Sequence, residues 1–137
     1  NYFPIVASAY DNQGRHILQH ESNGSLYVVS GENYKDNDRP IVVDIITPNF
    51  DAGTSRRKYL KQIRFVGDQV LGGVISVRYS DDDYQTWSSW RAVDISAAMP
   101  ILNDLGTFKR RAFHLRFIKD LPFRIRAIDA QYDVGSL

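Results

Sequence analysis

The chain has no cysteine at all, one methionine, two tryptophans and, among its sixteen acidic residues, only two glutamates, Glu21 and Glu32. Without cysteine there can be no disulfide framework and no thiolate metal site, so zinc-ribbon, thiol-protease and thiol-redox functions are excluded. The same lack fits a chain made in a reducing compartment. No apolar run is long enough to span a bilayer as a helix, and no charged-then-apolar leader opens the sequence. The formal charge is only +1, so nothing global draws the chain to nucleic acid or to a membrane. What is abundant is aromatic: eight Tyr and seven Phe in 137 residues, a composition suited to pleated sheet. A chain of this length buries a core without staples and reads as one all-β domain over 1–137. It begins at Asn1 rather than Met, which reads as a segment excised from a larger chain.

Short strand-like runs separated by turn chemistry recur throughout, and they predict an antiparallel β-sandwich of roughly nine strands, with part of a β-propeller-like body as the alternative. Tyr2 to Tyr10, Arg15 to His20 and Ser25 to Val29 form a meander through turns at Asp11-Asn12-Gln13-Gly14 and Ser22-Asn23-Gly24. Gly31 to Pro40 is a loop. Ile41 to Thr47, nearly continuous apart from Asp44, is expected to be a strand buried on both faces. In Lys58 to Val66, Tyr59, Ile63 and Phe65 fall on one face and Leu60, Gln62 and Arg64 on the other. Ile75, Val77 and Tyr79 alternate with Ser76 and Arg78. Trp87 to Ile95 returns antiparallel to that strand, and Ser96 to Leu105 is the only helical candidate. Two further strands hold Phe113, Leu115 and Phe117, then Phe123 and Ile125, with Leu121-Pro122 as their turn and a bulge near Ala127 and Ile128. No fixed period recurs, which excludes a solenoid, and the chain is too short for a complete propeller.

Residues 80 to 87, Ser-Asp-Asp-Asp-Tyr-Gln-Thr-Trp, match the S-x-D-x-G-x-T-W pattern of an Asp-box except that Tyr84 stands where glycine is usual. Ser80, Asp82 and Thr86 can hydrogen-bond the loop backbone while Trp87 plugs it, so the motif is a structural hairpin rather than an active site. An aromatic at a position favouring positive φ costs roughly 1 kcal/mol or more.

The remaining candidates are weak as chemistry. His16 and His20 share a strand face about 13 Å apart, too far to share a metal directly. His114 has no nearby nucleophile partner in sequence and reads as a half-buried structural histidine. Asp81-Asp82-Asp83 lacks the spacing of a calcium loop, and nothing brings Asp36, Asp38 or Asp44 together as an acid/base pair. No catalytic residue, metal ligand or cofactor is expected. One charge asymmetry stands out: Lys109, Arg110, Arg111, Arg116, Lys119, Arg124 and Arg126 against the single acid Asp120. Lys109, Arg110, Arg111, Arg116, Arg124 and Arg126 on adjacent strands would build one positive face, an interface for an acidic protein surface or for DNA phosphates. Trp90 and Tyr84 could offer a small sugar-stacking platform.

The segments SVRYSDDDYQTWSSWRAVDI and LGTFKRRAFHLRFIKDLPFRIRAIDAQYDVG make Arg57 to Gly135 resemble the C-terminal part of tail proteins of tailed bacteriophages, in particular the hub, nozzle or packaged-DNA-stabilisation proteins of short-tailed phages. Residues 16 to 51 resemble the end of the β-rich body of such proteins. The resemblance implies a non-enzymatic structural component of a virion tail, made in the host cytoplasm. It would assemble as a homo-oligomeric ring with other tail or portal proteins around the channel, with acidic loops of one subunit meeting the basic strands of the next and with DNA contact there. The alternative is a carbohydrate-binding β-sandwich, since Asp-boxes also occur in sialidases. A sialidase itself would need a full propeller and a Tyr/Glu nucleophile pair, and the two Glu lie far from Arg110, Arg116 and Arg124.

Overall fold

Asx turns and left-handed residues cut the chain into its strands. The structure, a computed structural model, describes residues 4–136. It divides into two compact units, Asn1–Asn33 and Tyr34–Leu137, where the sequence predicts a single domain. The first is the expected meander: β1 (Ile5–Tyr10), β2 (His16–His20) and β3 (Leu26–Val28), antiparallel in that order. Tyr2 and Phe3, expected to begin its first strand, lie outside the described residues. Its first turn is closed by Asp11, whose Oδ1 accepts the amides of Gln13 and Arg15 at 2.9 and 2.8 Å, with Gly14 at φ 76°. None of residues 4–33 is fully buried, so this three-stranded sheet holds no core of its own.

The second unit opens with a two-residue hairpin joining β4 (Lys35–Asp36) to β5 (Arg39–Pro40), its tip residues Asn37 and Asp38 both at positive φ, as this turn type demands. Then come β6 (Val43–Ile46), β7 (Lys58–Gly67), β8 (Val74–Ser80), β9 (Arg91–Asp94), β10 (Ile101–Asn103), β11 (Thr107–Phe108), β12 (Ala112–Phe117) and β13 (Ile125–Val134). Two antiparallel sheets result. One has the order β6-β12-β8-β9; the other is centred on β7, with β13 along one edge and β10 and β11 along the opposite edge. Ile75, Val77, Val93, Phe113, Leu115 and Phe117 of the first sheet meet Leu60, Ile63, Phe65, Leu102 and Phe108 of the second in one cluster, with Ile128 and Tyr132 packed against it. This is an all-β sandwich. Among the described residues there are thirteen strands where roughly nine were expected, because strands of two or three residues such as β3, β4, β5, β10 and β11 leave little trace in a sequence pattern.

Four expectations are corrected. The helical candidate Ser96–Leu105 is a turn followed by β10, because Pro100 interrupts a helix and Ile101 to Asn103 pair with Arg64 to Gln62; no helix occurs among the described residues, and so none long and apolar enough to cross a membrane. In β7 the pairing skips Lys61 between Leu60 and Gln62, a bulge that reverses the alternation, so Leu60 joins Ile63 and Phe65 inside while Tyr59 faces out. The strand β6 is not buried on both faces but is a sheet edge, paired only with β12 and leaving Ile45 and Ile46 exposed. Finally, β12 and β13 are not neighbours: the segment carrying Leu121-Pro122 crosses from one sheet to the other. The expected bulge is present one residue earlier, at Arg126, where the register shifts between Ile125 and Ala127.

Candidate functional site

The alternation along β8 sends Ile75 and Val77 into the core and Ser76 and Arg78 to the outer face of the sheet, and delivers Ser80 to the hairpin. Ser80 Oγ donates to Asp82 Oδ1 at 2.8 Å and accepts the Tyr84 amide at 3.0 Å. Asp82 also accepts the Thr86 amide at 2.9 Å and the Thr86 hydroxyl at 2.5 Å. Ser88 and Tyr79 then exchange two bonds, Ser88 N to Tyr79 O at 2.9 Å and Tyr79 N to Ser88 Oγ at 3.0 Å. Asp83 and Tyr84 both adopt positive φ, 58° and 69°, so the non-glycine residue at the usual glycine position takes the left-handed geometry. Its hydroxyl donates to the Thr47 carbonyl at 3.3 Å.

The Thr86 hydroxyl first, then the Thr86 amide and the Ser80 hydroxyl, lower the Asp82 carboxyl from 3.8 to about 2. A carboxyl lowered on folding contributes its stability in full above the unfolded value and loses it as pH falls through the folded one. Acidification from about pH 4 to about pH 2 is therefore expected to loosen the hairpin, seen as a change in near-ultraviolet circular dichroism. Asp82→Asn, which has no such titration, is expected to lack that acid step.

The six cations read as one face are dispersed. Arg111 is 1% exposed and lies inside the unit: Nε and Nη2 donate to the two Asp81 oxygens at 2.7 Å each, Nη1 donates to the Leu105 carbonyl, and Cζ sits 3.9 Å from the Tyr79 ring centre and 4.8 Å from that of Phe108. Arg110 pairs with Asp83, and Arg116 with Asp44 at 2.8 Å. Arg124 and Arg126, on or beside β13 in the other sheet, share Asp68 at 2.9 and 3.3 Å. Lys109 is exposed, and its carbonyl accepts the Lys58 ammonium at 2.6 Å. A single positive face over these residues is thus not formed: β12 and β13 belong to different sheets, and five of the six cations have an aspartate from another segment.

What the fold assembles instead is an aromatic and cationic layer on the outer face of the β6-β12-β8-β9 sheet. In the strand register Arg116 lies opposite Asp44 and Ser76, and His114 opposite Ile46 and Arg78. The hairpin folds Trp87 and Trp90 back over these strands. The guanidinium of Arg78 sits 4.9 Å from the Trp87 ring centre and 4.4 Å from that of Trp90, and Arg116 lies 5.2 Å from Trp90. Tyr84 continues the row, tilted against Trp87 at 6.1 Å. Beneath them His114 is 4% exposed, edge-on to Trp87 and Trp90 at 5.4 and 4.9 Å. Trp87 therefore plugs this outer layer and not the sandwich core. Arg116 first, then His114, hold the Asp44 carboxyl below its ordinary value, and Asp44 in turn raises Arg116. Sequence reasoning missed Arg78 and Asp44 as members of a site. Their signal is the outward parity of Arg78 on a cleanly alternating strand and the lone acid in the apolar run of β6.

The layer is partly exposed at Trp90 and Arg116, and its polar groups bond to one another. With two guanidinium groups over its ring, Trp90 is already engaged on its π surface. Elsewhere, a groove of about 250 Å³ is lined by Phe65, Ile95, Pro100 and Met99, with Arg64 and Asp68 also lining it; both of these are ion-paired. Among the described residues no three His, Asp or Glu side chains converge as a metal-binding group. The fold and hairpin define the class as an all-β sandwich with an Asp-box-like turn. No protein-family model and no curated protein sequence matches the chain.

Proposed function

We propose that this chain is a non-enzymatic structural component of a phage virion tail, which mediates subunit assembly around the portal or tail channel. The resemblance in the segments 76–95 and 105–135 supports the setting. The observation that carries assembly is the edge strand β6: it pairs on one side only, and Ile45 and Ile46 are 40% and 54% exposed along it. Its single charge, Asp44, is turned onto the outer face and engaged by Arg116 and His114. Natural sheets blunt a free edge with lysine, proline or a bulge. Within Val43–Ile46 none of these is present and only the four-residue length limits the edge, which suits an edge that a neighbouring subunit covers. The partners are further copies in a ring, with other tail and portal proteins above and below. Contact with DNA in the channel would fall to cations beyond the aspartate pairs described above.

The carbohydrate-binding alternative needs an aromatic ring free to stack on a sugar. The guanidinium groups over Trp90 count against that use of it.

Light scattering over a range of protein concentrations tests the assembly reading. The chain is expected to form a closed oligomer that grows in with concentration, and Ile46→Lys, which charges the free edge without touching the core, is expected to shift it to monomer. A monomer at every concentration for the unsubstituted chain would reject the β6 interface, and binding to a glycan array lost in Trp90→Ala would favour the alternative.

A further inference from the structure

His114 is the one histidine enclosed by the tryptophan layer, and both of its ring nitrogens are committed. Arg78 Nε–H donates to Nδ1 at 3.1 Å, so Nδ1 carries the lone pair; the proton is therefore on Nε2, which donates to Asp44 Oδ1 at 2.7 Å. The charged groups facing the ring are Asp44 from β6, Arg78 from β8 and Arg116 from its own strand β12, while the hairpin contributes the rings of Trp87 and Trp90. Asp82 is held inside the hairpin by Ser80 and Thr86.

A second proton on this ring can go only to Nδ1, which would set an N–H against the N–H of Arg78 and place two cations at hydrogen-bond distance. The imidazolium keeps its bond to Asp44, which becomes an ion pair. Arg116 is held by the same carboxylate and cannot easily leave. Arg78 is the group free to move: among the described residues no carboxylate pairs with it, and His114 and the two rings are its contacts. We infer that His114 is a proton-operated latch: neutral, it fastens Arg78 between Trp87 and Trp90, and protonated, it releases Arg78 and opens the layer. Acidification would thus change both the charge and the shape of this outer sheet face.

The two tryptophans of the chain both lie in this layer, so their emission reports on it directly. The whole chain is followed from about pH 8 to about pH 5, the range in which histidines ordinarily titrate. The expected result is a reversible red shift of the tryptophan emission maximum, with far-ultraviolet circular dichroism unchanged, along the same curve as the His114 ring resonances in NMR. In His114→Gln, whose amide N–H can still donate to Asp44, the red shift should vanish. If that variant does not fold, Arg78→Met decides: the released group is gone, so His114 should still titrate while the emission maximum stays put. The latch is rejected if His114 does not titrate in this range, if it titrates in the unsubstituted chain without moving the emission maximum, or if the full red shift persists in Arg78→Met.

Discussion

Arg111→Leu is expected to destabilise the Tyr34–Leu137 unit by about 2–4 kcal/mol, because it leaves the buried Leu105 carbonyl without its donor and a cavity where the guanidinium packed. Against a total of roughly 5–15 kcal/mol for a domain, that is a large fraction of the stability. The side chain is among the largest fully buried ones in the chain, and its surroundings were built for a guanidinium. Both Asp81 oxygens accept from it, the Leu105 carbonyl accepts a third N–H, and the planar group stacks over Tyr79 and Phe108. Leucine replaces the apolar stem but leaves the Leu105 carbonyl and Asp81 without their donors. Arg111→Lys keeps the charge yet cannot form the bidentate pair, and is expected to fall between the two. Urea unfolding of Arg111→Leu, Asp81→Asn and the double variant measures the coupling. Asp81 is more than a third exposed, so in Arg111→Leu water can solvate the carboxylate left behind, whereas Asp81→Asn leaves the buried guanidinium without its counter-charge; both single variants are therefore expected to be clearly destabilised. A small loss in Asp81→Asn beside a large one in Arg111→Leu would show that the burial of the arginine, and not its pairing with Asp81, carries the energy.

The second large effect is expected at Phe117, where Phe117→Ala should cost about 3–5 kcal/mol, the range for deleting a buried phenylalanine side chain. Phe117 is 2% exposed at the end of β12 and stacks on Phe123 with ring centres 4.6 Å apart and planes 18° apart. Phe123 follows the segment that carries the chain from one sheet to the other, just ahead of β13. The stacked pair thus ties the crossover to the core, and its loss removes apolar burial and opens a cavity where both sheets meet. Phe123→Ala, at a half-buried position, should cost distinctly less, and Phe117→Leu should recover most of the loss. Thermal unfolding of the three variants would check that order. A loss at Phe123 as large as at Phe117 would mean that the crossover, not the core, limits stability.

These two residues differ in how readable they were. Phe113, Leu115 and Phe117 alternate in a strand pattern and read as a core face from the sequence, as do Ile75 and Val77 on β8. The hairpin from Ser80 to Trp87 was legible to the residue, because Ser80, Asp82 and Thr86 act over at most four positions and need no distant partner. Arg111 was misread as surface. Its partner Asp81 lies 30 residues away, and Arg116 meets Asp44 across 72; a run of cations in sequence gives no account of acids brought in by strand pairing. The tryptophan layer was hidden for the same reason, since it draws on β6, β8, β12 and the hairpin together.

Composition and local pattern by themselves determined that this is a cysteine-free, all-β chain with alternating core strands, a meander at its start and an Asp-box-like turn, because each of those rests on side-chain period or on hydrogen bonds within a few residues. Tertiary structure alone decided the rest. A single extra residue at Lys61 reversed which side of β7 is buried, since strand faces alternate with a period of two. An apolar run reads the same in the middle of a sheet as at its edge, so only strand order could place β6 outside. Whether a guanidinium faces water, a carboxylate or an aromatic ring depends on which strands the sheets set side by side.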